Sequence, residues 1–308
     1  MKTAAFLIGF GGPEGPEQVR PFLESVLQGA RIPKERFDAV LSHYEKIGNA
    51  SPYNAIALRQ REALREWLRD MGKDLPVYLG FRHSSPALKE VFLEMKKDGI
   101  EKAVGFVLSP LESPASFGKY TEKASQARRE ADALSIDVVY AGPFHNNAQF
   151  LAAQAGRAEE ALHSLNGDAP QRTFILFSAH SIPVKMSEES GYASQFSAAA
   201  AAVARKLGYP SWGTAYQSRS GGPREPWLGP DVKEAVAAID RKIFRNVAVV
   251  PIGFVSDNAE VLYDLDIELK GVVEGLGLRY IRASTAMDDP RFIAMMGQCV
   301  LRNLEEKG

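Results

Sequence analysis

The sequence predicts an α/β fold of two similar halves, each with a mainly parallel sheet flanked by helices. Short apolar runs of strand length alternate with longer segments of helical period along the whole chain, the rhythm of βαβ units. Most of the apolar runs end in glycine, proline or serine, residues that stop a strand and start a turn. One hand-over carries unusual chemistry. The run 247–250 ends at Pro251 and Gly253, Asp257 or Asn258 can cap a helix, and Glu260, Asp264 and Glu268 then recur at i, i+4, i+8. On a helix that spacing stacks three carboxylates on one face. Lys270 is the first cation after Arg245, so no sequence neighbour relieves their repulsion. A bare acidic row is most often a solvated face. Its place beyond a strand favours a site, because ligands of open α/β sheets sit outside the carboxyl ends of strands.

Taken in order, residues 4–8 read as a buried strand running into Gly9-Phe10-Gly11-Gly12-Pro13-Glu14-Gly15. The spacing is wrong for G-x-G-x-x-G and no G-K-[ST] follows. Pro13 and Pro16 lack backbone donors, and Glu14 and Glu17 would oppose a phosphate. A nucleotide is rejected; a pliable loop against a flat organic ligand is compatible. Helices are expected over 17–27, over 34–47 entered through Pro33, and over 55–71, with strands at 77–81 and 102–108. Pro86 opens a helix between those strands, and helix 117–134, strand 136–140 and helix 147–165 follow. The second half repeats the order: strand 173–177, helix 194–207 closed by Gly208, strand 212–217, helix 231–241, the strand and acidic helix, strand 278–281 and helix 290–304. The halves are expected as residues 1–150 and 151–308, joined near 146–167, with the acidic row in the second.

Composition removes several classes. Of 308 residues 45% are hydrophobic and 24% charged, with net charge −1, so nothing draws the chain generally to nucleic acid or anionic membrane. No run approaches the roughly 20 apolar residues of a membrane helix, and the glycines after Ile8 make the start a strand rather than a signal peptide. Cys299 is the only cysteine, which excludes intrachain disulfides and cysteine-held clusters and fits a reducing cytoplasm.

The histidines are His43, His83, His145, His163 and His180, with no metal-ligand spacing among them. His180 stands out because it follows a buried strand and precedes the turn Ser181-Ile182-Pro183. A turn histidine bonded to backbone is the ordinary alternative. His180 and Glu260 both stand at carboxyl strand ends, so one cleft can hold imidazole and carboxylates for proton abstraction, transient divalent-metal binding, or both. Ser178 and Ser181 lack a G-x-S-x-G elbow. Phe10, Tyr53 and Trp227 are more often packing residues than ligand platforms. Arg82, Lys119, Arg219 and Arg224 lie in or near loops where they can hold carboxylates.

Five stretches together resemble the ferrochelatase family, which inserts ferrous iron into a porphyrin in haem biosynthesis. They are GFGGPEGPEQVRPFL, HYEKIGNASP, FSAHSIP, QSRSGGPREPWLGPDV and PIGFVSDNAEVLYDLDIE, in that order across nearly the whole chain. The resemblance implies two Rossmann-like (chelatase-type) halves with a porphyrin between them. It implies that His180 and Glu260 are the metal and proton pair, and that Asp264 and Glu268 extend a line delivering metal or removing protons. Phe10 and its loop would touch the macrocycle; Tyr53, Arg82, Lys119, Arg219 and Trp227 are the further substrate-binding candidates. The substrates would be Fe²⁺ and protoporphyrin IX or coproporphyrin III, with no tightly bound cofactor, no iron–sulfur cluster, no nucleic-acid partner and transient contact with other haem-pathway enzymes. Two positions depart from the family: Asn258 and Leu111 stand where many members carry histidine. The alternatives are a chelatase for another metal or tetrapyrrole, such as cobalt with sirohydrochlorin, and a porphyrin- or haem-binding relative without turnover. The intact acidic row with His180 argues against the last.

Overall fold

The computed structural model describes residues 1–27, 34–165, 170–220 and 225–305. Pro33, Gly167, the Gly221-Gly222-Pro223 turn and Arg224 lie outside the described residues. The chain forms two compact units. One holds residues 1–109, 115–143 and the stretch from 287 onward; the other holds 110–114 and 144–286. The closing helix Pro290–Glu305 thus belongs with the first unit rather than the second. It packs there on helix Tyr53–Asp70 with Gly297 against the Trp67 ring, where any Cβ would collide.

The first unit's sheet contains β1 (Thr3–Gly9), β2 (Val77–Phe81), β3 (Lys102–Val107) and β4 (Asp137–Tyr140) in the order β2-β1-β3-β4. Every pairing is parallel. A parallel sheet is covered on both faces, which is why β1 and β3 read as continuous apolar runs. Phe6, Ile8, Phe92, Met95 and Ala124 pack one face.

The second sheet contains β5 (Thr173–His180), β6 (Trp212–Gln217), β7 (Asn246–Val250) and β8 (Arg279–Arg282) in the order β6-β5-β7-β8, again all parallel. Leu176, Val247 and Val249 on one face meet Val232, Val236, Val261 and Leu265 of the covering helices. Helices Ala148–Leu162 and Tyr192–Leu207 also flank this sheet. As expected, Gly208 closes the second of these, in a left-handed conformation at φ 69°.

The two sheets share one strand order, so the predicted likeness of the halves is a likeness of topology. In each, chain progression reverses between the first and third strands of its sheet, and ligands of doubly wound folds bind at that switch point. In the second unit the loops flanking it follow β5 and β7. The segment read as an α-helix after Asn258 differs in kind: it is a π-helix over Val261–Leu269, continued by α-helix Lys270–Gly275. Among the described residues no helix is long and apolar enough to cross a membrane.

Candidate functional site

His180 is the last residue of β5 and half-buried at the second unit's switch point. Its Nδ1 lies 2.6 Å from the Ser181 carbonyl oxygen. A carbonyl only accepts, so Nδ1 carries a proton, and Nε2 is the ring atom left for a second proton or a metal. The buried Tyr192 hydroxyl donates to the His180 carbonyl at 3.0 Å, and Ser181 Oγ donates to the Leu228 carbonyl at 2.8 Å. The turn that aims the imidazole is therefore tied at both sides.

Across the switch point, the loop after β7 leads to the acidic row. Asn258 caps the helix, its Oδ1 accepting the Val261 N–H at 2.9 Å. Glu260, Asp264 and Glu268 are all half-buried. The α-helical reading missed the wider i→i+5 closure of a π-helix, for which the sequence holds no periodic signal. The row also has partners that sequence neighbours did not reveal. Lys233, from helix Val232–Ala237, reaches Glu268 at 3.0 Å, whereas Lys270 is turned to Glu274 at 4.0 Å. Ser218 Oγ donates to the Asp264 carboxylate, from a left-handed backbone at φ 61°. Burial pushes Asp264 up to about 7, reinforced by the charges of Glu260 and Glu268 and opposed by Ser218 and Lys233. Near neutral pH this carboxyl both takes up and releases a proton.

The far side of the π-helix is clasped by an arginine. Arg282 binds Asp266 at 2.7 Å through Nε and Asp257 at 3.0 Å through Nη2, and Asp257 also accepts the Thr285 N–H at 3.1 Å. Asp266 sits between Asp264 and Glu268 and Asp257 before Glu260, so one guanidinium joins the entry loop to the helix body. Among the described residues no three His, Cys, Asp or Glu side chains are gathered as a metal cage.

The first unit's switch point has a different lining. Gly11 turns at φ 94° beside Ser84, and the Phe10 N–H donates to the Tyr53 hydroxyl at 3.0 Å. The Arg82 guanidinium lies 5.4 Å from the Phe10 ring centre and 4.7 Å from that of Tyr120. His83 packs on Phe10 with ring centres 4.7 Å apart and its Nδ1 is 3.0 Å from Ser25 Oγ. Burial, then Arg82 and Lys123, hold its pKa down to about 4.

His180, Glu260, Asp264 and Glu268 all lie in the second unit, and in the first Phe10 meets both Tyr53 and Arg82. Leu111 is buried. Trp227 is half-buried and bridges to Pro183 beyond the His180 turn. Lys119 is exposed and paired with Glu122 at 2.8 Å, and Arg219 is exposed. Sequence reasoning missed Gln217, Ser218 and Lys233. The rule that nominated His180, a polar residue at a carboxyl strand end, also fits Gln217 and Ser218 at the end of β6.

A family model described as ferrochelatase matches residues 2–304. A ferrochelatase of Rhodopirellula baltica is 39% identical over 94% of this chain and 83% of that protein. A coproporphyrin III ferrochelatase of Mycobacterium tuberculosis is 39% identical over 94% and 82%. Among solved structures, SirB from Bacillus subtilis with Fe³⁺ superposes with a TM-score of 0.60 at 13% identity, covering 100% of this chain and 98% of that one; that likeness speaks to fold alone.

Proposed function

The chain belongs to the ferrochelatase family, and from that premise we propose that it inserts ferrous iron into a carboxylated porphyrin in haem biosynthesis, with His180 and Glu260 as the working pair. The observation that supports this most is the His180 ring, its Nδ1–H held by the Ser181 carbonyl, at the same switch point as the carboxylate row.

Metallation exchanges two pyrrole N–H protons for one Fe²⁺, which must shed water as it enters. His180 Nε2 accepts a proton or holds iron in transit. Glu260 offers a carboxylate for the second proton or the metal. Asp264, held near neutrality, passes protons along the row, and Glu268 opens the line beside Lys233. Two or three weak ligands suit delivery, because a closed four-ligand cage would retain the iron. In the first unit, Arg82 pairs with a propionate and Phe10 lies against the macrocycle. Iron is substrate here, no resident cofactor takes part, and Cys299 alone cannot supply a thiolate-held cluster. A cytoplasmic location and transient contact with other haem-pathway enzymes belong to the same proposal.

The test is anaerobic metallation followed by absorbance, with Fe²⁺, Co²⁺ or Zn²⁺ and each porphyrin in turn. Coproporphyrin III goes first, given the names of the mycobacterial relatives. Metallation well above the protein-free rate is expected. A protein that binds porphyrin and leaves that rate unchanged would be a binding relative.

A further inference from the structure

Resting on the metallation reading above, we propose that Gln217 is the positioning residue that holds Glu260 in register with His180. Gln217 ends β6, is 1% exposed, and is the ladder partner of His180. Its main-chain carbonyl accepts the Ser181 N–H at 2.7 Å, so it braces the residue whose own carbonyl fixes the imidazole tautomer. Its side-chain Nε2 donates to the Glu260 main-chain carbonyl at 3.2 Å. One residue therefore ties the imidazole turn to the start of the acidic helix, across 43 positions of sequence.

The other end of the same amide points to function rather than packing. Because the Glu260 carbonyl only accepts, the amide orientation is set and Oε1 is the leftover acceptor, buried and without a partner. Such a group costs folding free energy. Methionine has a similar shape and would remove both the orphan and its cost, so burial alone does not call for glutamine. Places where a chain breaks the rule of paired buried polar groups are where functional demands are expected. Ser178 provides the comparison: it is also fully buried with an unpartnered Oγ, and strand alternation puts it on the same sheet face as His180, yet it bonds to neither Glu260 nor the His180 turn through its side chain. Transfer sites tolerate placement errors of only about 0.5 Å, and a misplacement of about 1 Å can cost about 100-fold in rate.

Gln217→Met, Gln217→Glu and Ser178→Ala, each in the full chain, test this against wild type and in the Glu260→Gln background. Gln217→Met should lower kcat/KM for Fe²⁺ by roughly 10- to 100-fold, with porphyrin affinity and Tm held near wild type. Ser178→Ala removes an orphan of the same kind and should metallate normally. In the Glu260→Gln background the further loss from Gln217→Met should shrink to about threefold or less, since the two act as a unit. Gln217→Glu should be impaired at neutral pH and recover relative to wild type as pH falls, when its protonated carboxyl again donates to the Glu260 carbonyl. That pH arm carries the test if Gln217→Met fails to fold. Unimpaired Gln217→Met, fully additive losses, or a pH-independent Gln217→Glu ratio would overturn the inference while leaving the metallation reading intact. A wild type that metallates nothing defeats that reading, and this inference with it.

Discussion

The two units repeat one strand order and fill the same topological position with opposite chemistry. At the first switch point the lining is rings and a guanidinium: Phe10, Tyr53, Arg82, Tyr120 and an imidazole kept neutral. At the second it is carboxylates with an imidazole whose tautomer is fixed by backbone. Topology supplies a place for a ligand, and the side chains at the strand ends decide which ligand. In physical terms, the first lining suits a flat anionic molecule and the second suits a cation and its proton traffic.

The sharpest way to break that contrast is at the second site. His180→Ala and Glu260→Gln should each lower metallation by about 10²- to 10⁴-fold, the usual range for a lost proton-transfer group, with porphyrin affinity unchanged. Porphyrin fluorescence quenching beside the rate assay separates the two; equal loss of both would erase the division of labour.

The next expected effect is a pair of opposite pH responses. Asp264 is raised in the folded protein, so its contribution is fully present below the ordinary carboxylate range and lost as pH rises through about 7. His83 is lowered, so its contribution is present above the ordinary imidazole value and lost as pH falls towards about 4. Asp264→Asn should therefore raise Tm relative to wild type at and above neutral pH, and His83→Gln should do so on the acid side. Thermal melts between pH 4 and 8 check the signs, and matching profiles for both variants would contradict the assignment.

Smaller effects sharpen the contrast. Arg82→Met keeps an apolar stem and removes the guanidinium, so porphyrin affinity should fall by about 1–3 kcal/mol with the KM for iron unchanged. Titrations of Arg82→Met beside Lys119→Met and Arg219→Met should rank Arg82 first, because the other two are exposed. Smallest is the cap. Asn258→Ala should cost about 1 kcal/mol of stability by denaturant melts, and Asn258→Asp should keep most of it. Asn258→His would supply the imidazole common elsewhere in the family while giving up that cap.

The sequence made the strand positions legible because buried parallel strands are unbroken apolar runs, as at 247–250. The positions of His180, the last residue of β5, and of Glu260, on the helix entered from β7, were legible because a polar stretch follows each apolar run. Lys233 was not, since its contact with Glu268 spans 35 positions, and reasoning from neighbours such as Lys270 sees only local relief. Ser218 was hidden for another reason: its role depends on a left-handed turn that serine does not advertise as glycine would. The closing helix escaped the halfway boundary because the small size of Gly297 tells nothing of the Trp67 ring it meets.

The π-helix also makes the kind of helix that carries the row depend on chain length, not just on residue identity. Its nine residues, Val261–Leu269, are wound more widely than an α-helix needs, so removing one apolar residue there would let the segment relax into the commoner form. A deletion at Leu265 would bring Glu268 from eight positions after Glu260 to seven, a same-face spacing on an α-helix, and so keep all three acids in line. In descent, such a one-residue gap would leave composition and motif nearly untouched while changing the kind of helix that carries the acids. A relative carrying it would match by residue type and differ in geometry, so loop and helix lengths between Asn258 and Lys270 deserve to be compared residue for residue.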